Sequence, residues 1–413
     1  MTFDDAPIQL DIEEAVAFQR DLYLYWWATR EIGGLALTSR GFVARPELRR
    51  LRAQWPMSGD DRPEADDARL YFLRRLLERL GLLRASNTRS AGTSATVELL
   101  AAGSATMARY LAHPLAERLR ICTRLWVAGG WWQDGSLAAA AGLHAPVQPR
   151  IALARRRLIE MLAAQDPGSP VEISGVPTAT THAPRIIGAT ATRRKPRGIA
   201  EERHQTMRAG LMGPLHWIGL VVWRGTPATA ERQLVVGHGM LALRREPDDA
   251  AIHETYGRVI IQPNLDVLAY QPLSAPTLFT LDQCAARAKL DRVAHYRLTK
   301  ESVIRAQQSG WSEDETARRL EQLIGGPLPG NVRVRLADWT RAASRVRLTS
   351  NAAVLTTATS KVLDALMSDR NARAWVVRRL GPAMALVAPA DVEAVRRWLL
   401  AHGELPAVEG IAH

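Results

Sequence analysis

Residues 257–348 constrain this chain more than any other stretch, because they carry boundary signals at almost every turn. The run Arg258-Val-Ile-Ile-Gln-Pro-Asn-Leu-Asp-Val-Leu268 sets β-branched residues between Gly257 and Pro263 and then alternates apolar Leu265 and Val267. This pattern suits a pair of strands joined by a turn. Thr299-Lys-Glu-Ser302 opens a helix carrying Val303, Ile304 and Ala306. Ser312 followed by Glu315 reads as a capping box, in which the serine oxygen accepts from a first-turn amide and Glu315 reaches back to the cap. Leu320, Leu323 and Ile324 then share a face, and Gly325-Gly326-Pro327 stops the helix. Two short helices on a small sheet are the expected product.

Read in order, Arg258–Leu268, Leu290–Ala306, Gly310–Thr316, Pro327–Val332, Asp338-Trp339 and a short strand Arg345–Leu348 resemble the domain that precedes the motor in XPB-like helicases. The same domain recurs in bacterial helicase-associated proteins. The resemblance implies a role as a DNA-contacting or helicase-coupling accessory with a partner subunit, and it carries over no catalytic residues. One departure is sharp. A motor needs a lysine directly after glycine to reach the phosphates of its nucleotide, and none of the four lysines (Lys195, Lys289, Lys300, Lys361) follows a glycine. The expectation is a stand-alone form without ATPase activity.

Upstream the chain reads as helices and short strands. Leu22-Tyr-Leu-Tyr-Trp-Trp27 is an apolar helix ahead of a turn at Gly33-Gly34. After Pro46, a basic helix turns Leu48 and Leu51 inward and Arg45, Arg49, Arg50 and Arg52 outward. Leu70, Leu73, Leu77 and Leu80 repeat at three and four before Gly81, with strand-like segments at Leu82-Leu83 and Val97–Leu99. Short helices followed by a hairpin suggest a winged helix. Leu77-Glu-Arg-Leu-Gly-Leu-Leu83 and Leu215-His-Trp-Ile-Gly-Leu-Val221 share one pattern, which suggests a second copy; a single irregular helical domain is the competing reading. Ile151–Leu162 would be an earlier helix of that copy, with Arg155, Arg156 and Arg157 outward, and the helix from Pro114 to Trp126 would join the two units. The Pro-, Gly- and Thr-rich stretch 166–203, with Arg193, Arg194, Lys195 and Arg197, is expected as a poorly ordered basic loop that either tracks phosphates or is a solvated insertion. Near the C-terminus, 371–379 reads as helical or mixed, 383–387 as a strand and 391–401 as a helix.

Composition narrows the function classes. The net charge of +12 favours a polyanionic partner, although a general arginine preference would account for the choice of arginine over lysine. Two cysteines, Cys122 and Cys284, build neither a disulfide framework nor a cysteine zinc site from this chain alone. No Gly-x-Ser-x-Gly or His-Glu-x-x-His occurs, Gly237-His-Gly239 reads as a flexible turn, and His253-Glu254 is a lone dyad. The acids from Asp60 to Asp67 precede a helix, where they suit its positive end better than a metal.

The combined reading is an α+β, mostly helical chain: tandem winged-helix-like units at 1–112 and 113–240, then an XPB-like helicase-associated α+β module with C-terminal helices at 241–413. The expected function is non-enzymatic DNA binding as an accessory to a helicase or to repair or transcription machinery; the alternative is a protein-interaction scaffold. Candidate DNA contacts are Arg45, Arg49, Arg50, Arg52, Arg193, Arg194, Lys195 and Arg197, and candidate DNA or partner contacts are Arg292, Arg297, Lys300 and Arg305. Duplex or forked DNA and a helicase or other protein are the expected partners, with no membrane, cofactor or metal, in a cytoplasmic, nucleoid-associated setting.

Overall fold

The computed structural model describes residues 12–38, 43–53, 67–86, 96–99, 103–132, 147–171, 206–225, 233–244, 252, 254, 257–343 and 353–406. They form an α+β structure, mostly helical with small antiparallel sheets, in two compact units, Met1–Thr340 and Arg341–His413.

Helix α1 (Glu13–Ile32) is the axis of the larger unit. It is buried without interruption from Ala15 to Trp26, with the polar Gln19 and Asp21 in this stretch bonded to Tyr110 and Arg69. Gly33 ends it at a φ of 81°, a left-handed value that side chains rarely adopt. Strand β1 (Leu35–Ala36), α2 (Arg45–Ala53), α3 (Asp67–Arg79), β2 (Leu83–Ser86) and β3 (Thr96–Leu99) follow, and their antiparallel sheet has the order β1-β3-β2.

After α4 (Gly103–Leu111) and α5 (Leu115–Ala128), the same order of elements returns. Helix α6 (Pro149–Ala163) leads to residues 169–171, then a helical segment at 206–217, then the hairpin β4 (Val221–Arg224) and β5 (Gln233–Val236). Val171 N donates to Leu234 O and Val236 N to Ser169 O, both at 2.9 Å, so the short early segment again lies on the last strand. The paired heptapeptides adopt one conformation. Gly81 and Gly219 have φ of 71° and 82°. Leu82 N donates to Leu77 O, and Leu220 N to Leu215 O, each at 2.9 Å. Each glycine thus ends a helix and aims the chain into a strand. Gly237-His238-Gly239 is not a flexible turn as expected but the start of a 3-10 helix (His238–Leu243), because Gly239 packs where a Cβ would lie 2.6 Å from Gly219 O.

The module from 257 onward is a four-stranded antiparallel sheet of β6 (Val259–Ile261), β7 (Asp266–Tyr270), β8 (Ala286–Lys289) and β9 (Val293–Arg297), ordered β6-β7-β9-β8. Helix α7 (Ala275–Cys284) connects β7 to β8, and α8 (Lys300–Gln308), α9 (Glu313–Ile324) and α10 (Gly330–Ala343) follow. Thr299 and Ser302 form a reciprocal capping box on α8. Ser312 Oγ accepts from Glu315 N at 3.1 Å, and Gly325 ends α9 with φ of 67°. The Glu315 carboxylate bonds Arg318 and Arg319 and does not reach back to Ser312, so only the serine half of the expected capping box forms. One continuous core runs from Ile12 to Leu336.

The C-terminal unit has its own small core of Leu366, Ala372, Val387, Val395 and Leu399. Strand β10 (Ala353–Thr356), α11 (Ser360–Ser368), β11 (Val376–Gly381), β12 (Met384–Val387) and α12 (Val392–Ala401) build it, with sheet order β10-β12-β11. The 371–379 segment is a 3-10 turn at Ala372–Trp375 that passes into β11, because Val376 and Arg378 pair with β12 instead of extending a helix. The strand expected at 345–348 lies outside the described residues.

Candidate nucleic-acid interface

Helix α2 begins with Pro46 in its first turn, a position that needs no amide hydrogen bond. Leu51 is buried and Leu48 half-buried, while Arg45, Arg49 and Arg50 are exposed, as the spacing predicted. Arg50 approaches Glu47 at only 3.5 Å, a contact too long and too exposed to hold the guanidinium. Of the other candidates upstream, the Arg52 side chain and Arg193, Arg194, Lys195 and Arg197 lie outside the described residues.

The next helix in each copy is not available in the same way. Helix α3 is buried along its length: Arg74 and Arg75 fold onto Glu78 at 2.9 and 2.8 Å, and Phe72 is fully enclosed. The Phe72 ring meets Trp131, Trp132 and Trp217 at centroid distances of 5.4, 5.7 and 5.4 Å. Trp217 belongs to the helical segment of the second copy, so these two helices pack on each other through an aromatic cluster. Arg155 corrects another expectation. It is buried, not outward, and donates to Trp126 O at 2.7 Å, Gly129 O at 2.9 Å and Trp132 O, satisfying carbonyls at the end of α5. Arg156 and Arg157 are exposed.

In the module, Arg292, Arg297 and Lys300 are exposed. Arg297 lies 3.8 Å from Asp266 across the β7–β9 pair. Arg305 does not join them: it is half-buried and donates to Ala285 O at 3.3 Å, because α8 packs that side onto the end of α7. The inward residues Val259, Ile261, Val267, Ala269, Ala294 and Tyr296 are buried. The opposite face carries Ile260, Leu268, Tyr270, Val293 and His295, with Tyr270 and His295 exposed. Lys289 lies beside His295 in the register. Its ammonium holds the Asp291 carboxyl below the usual carboxylate range, helped by the Arg292 amide. Tyr270 and His295 escaped the sequence reading because period-two alternation does not say which residues become neighbours across strands.

Buried polar groups join this module to α1. The Tyr23 hydroxyl and Arg287 Nε both donate to Asp282, at 2.6 and 2.9 Å, and the Arg287 guanidinium lies 3.6 Å from the centroid of the Trp27 ring. Burial first, then the Asp282 charge, push the Tyr23 hydroxyl well above its ordinary pKa, so it stays a donor.

A family model described as the helicase conserved C-terminal domain matches residues 259–381. The match starts at the first residue of β6 and ends at the last of β11, under a third of the 413-residue chain. The chain therefore carries a helicase-associated domain, consistent in kind with the resemblance read from its sequence. No curated protein matches the chain. Among the described residues, no group of three or more His, Cys, Asp or Glu side chains could hold a metal, and no helix is long and apolar enough to cross a membrane.

Proposed function

We propose that this chain is a DNA-binding accessory factor that couples to a helicase of the XPB-like type and has no catalytic chemistry of its own. The observation that carries the reading is α2, whose Arg45, Arg49 and Arg50 face solvent opposite Leu48 and Leu51. The winged-helix reading is supported by the order helix, strand, two helices and a hairpin with sheet order β1-β3-β2, and by the partial return of that order after α6. The helicase-associated domain supplies the context, and the excess of +12 supports a polyanionic ligand. The test is duplex binding measured over a range of salt concentrations. Arg49→Ala with Arg50→Ala should weaken binding and reduce the log–log salt slope by about 0.9 for each phosphate that is no longer neutralised. Wild-type affinity and slope in the folded double variant would remove α2 from the interface.

A second reading draws on a specific observation. In helix-turn-helix proteins the second helix of the motif enters the major groove, yet here α3 is buried and its Phe72 packs on Trp217 of the other copy. That supports winged helices serving as an assembly scaffold, with a protein partner in place of DNA. Absence of any salt-dependent DNA binding by the wild-type chain would favour it.

A further inference from the structure

We propose that the open face of the β6-β7-β9-β8 sheet is a platform for single-stranded DNA, a second nucleic-acid site separate from α2; this deepens the DNA-binding reading above and rests on it. The two central strands of the sheet are β7 and β9, and each contributes an exposed ring, Tyr270 and His295. Leu268 faces His295 and Tyr270 faces Val293 across the pair. Tyr270 and His295 are therefore diagonal neighbours on one face, about 7–8 Å apart by sheet geometry. Two rings side by side on the middle strands of a four-stranded antiparallel sheet can each carry one unstacked base.

The surroundings suit a phosphate backbone. Arg258, Lys289, Arg292 and Arg297 are exposed at the strands or their ends. The acids near them are Asp266, 3.8 Å from Arg297, and Asp291, 2.9 Å from Lys289. Four cations against two carboxylates leave the rim positive. The half-buried Leu268 and Val293 flank the rings across the β7–β9 pair, and Ile260 lies beside Leu268; all three suit the apolar faces of bases. A duplex fits these rings poorly, because its bases are stacked inside and their faces are not free to stack on side chains. A single strand offers its bases directly, and stacking on aromatic side chains tolerates any sequence.

The experiment measures binding of the full chain to labelled oligothymidine, to oligouridine and to a duplex. Tyr270→Ala with His295→Ala should weaken oligothymidine binding, by roughly five-fold to more than a hundred-fold for each ring removed. Duplex binding should not change. Tyr270→Phe should retain wild-type affinity, since the ring and not the hydroxyl makes the contact. Arg258→Glu with Arg292→Glu tests the rim without touching the rings, and should also weaken oligothymidine binding. Arg49→Ala with Arg50→Ala should reduce duplex binding alone, so failure of the α2 reading and failure of this one give different patterns. Wild-type oligothymidine affinity in both the ring and the rim variants would overturn the proposal, as would a preference for oligouridine.

Discussion

The Tyr23 hydroxyl donates to Asp282 Oδ2 at 2.6 Å, joining two residues 259 positions apart and tying α1 to the helicase-associated domain. Phe279 reinforces the contact, with its ring centroid 6.2 Å from Tyr23 and 6.5 Å from Trp26.

The two sides of the seam should respond unequally to substitution. Tyr23→Phe removes one hydrogen bond while Arg287 still satisfies Asp282, and should cost about 1–2 kcal/mol. Asp282→Ala leaves the buried Arg287 guanidinium without its carboxylate and should cost about 3–5 kcal/mol. Denaturant unfolding of the two variants checks the order; equal losses would mean that Asp282 is not the anchor.

Arg155 should act as an interior clamp. Arg155→Met keeps the bulk of the stem but strands carbonyls of Trp126, Gly129 and Trp132. Each buried group left unsatisfied costs about 1–3 kcal/mol. Arg156→Met, on the exposed side of the same helix, should change stability by less than about 0.5 kcal/mol. Thermal melts of the pair distinguish a structural arginine from a surface one.

The paired glycines should differ although their φ values agree. At Gly81 no atom beyond its chain neighbours lies within 4 Å of an added Cβ, so Gly81→Ala carries only the left-handed strain, about 1–2 kcal/mol. At Gly219 the Cβ would lie 2.4 Å from Ala15 N, so Gly219→Ala must also push α1 away, adding about 1–3 kcal/mol. A Gly219→Ala protein as stable as Gly81→Ala would show that the second hairpin does not press on α1.

Lys300 and Arg305 should separate in the same manner. Lys300→Glu, at an exposed position, should leave the melting temperature nearly unchanged. Arg305→Glu gives up the hydrogen bond to Ala285 O and sets a carboxylate in a half-buried position, so it should lower it. Equal melting temperatures would return Arg305 to the exposed rim.

Alkaline pH should destabilise the fold through its buried thiol. Burial, followed by the nearby Asp282 charge, raises the Cys284 thiol from its ordinary 9.0 to about 12. The unfolded chain releases this proton first, so the stabilising difference is intact below about 9 and is lost as pH rises towards about 12. Cys284→Ala should show a shallower fall of melting temperature across that window. The native chain should also resist thiol alkylation, since Cys122 is buried and its thiol likewise raised by desolvation.

What the sequence determined by itself is local. The helix start at Thr299–Ser302, the Ser312 cap, the glycine stops at Gly81, Gly219 and Gly325 and the exposed arginines of α2 depend on hydrogen bonds or helical spacing within a few residues. Periodicity and cap chemistry are sufficient to read them, and the matched heptapeptides reveal that one helix-to-strand turn is used twice. Tertiary structure alone decided which faces remain available. Arg155 looked like part of an outward triplet, yet a helix end 23–29 residues earlier captured it, because three carbonyls there needed donors. Phe72 meets Trp217 across 145 residues, and no local pattern tells a helix whose apolar face lines a core from one that packs on a helix far away in the chain. Tyr270 and His295 became neighbours only when β7 paired with β9. Sequence spacing sets which side of an element a residue occupies; the pairing of elements far apart in the chain sets whether that side meets water, and that depends on the burial of the whole core.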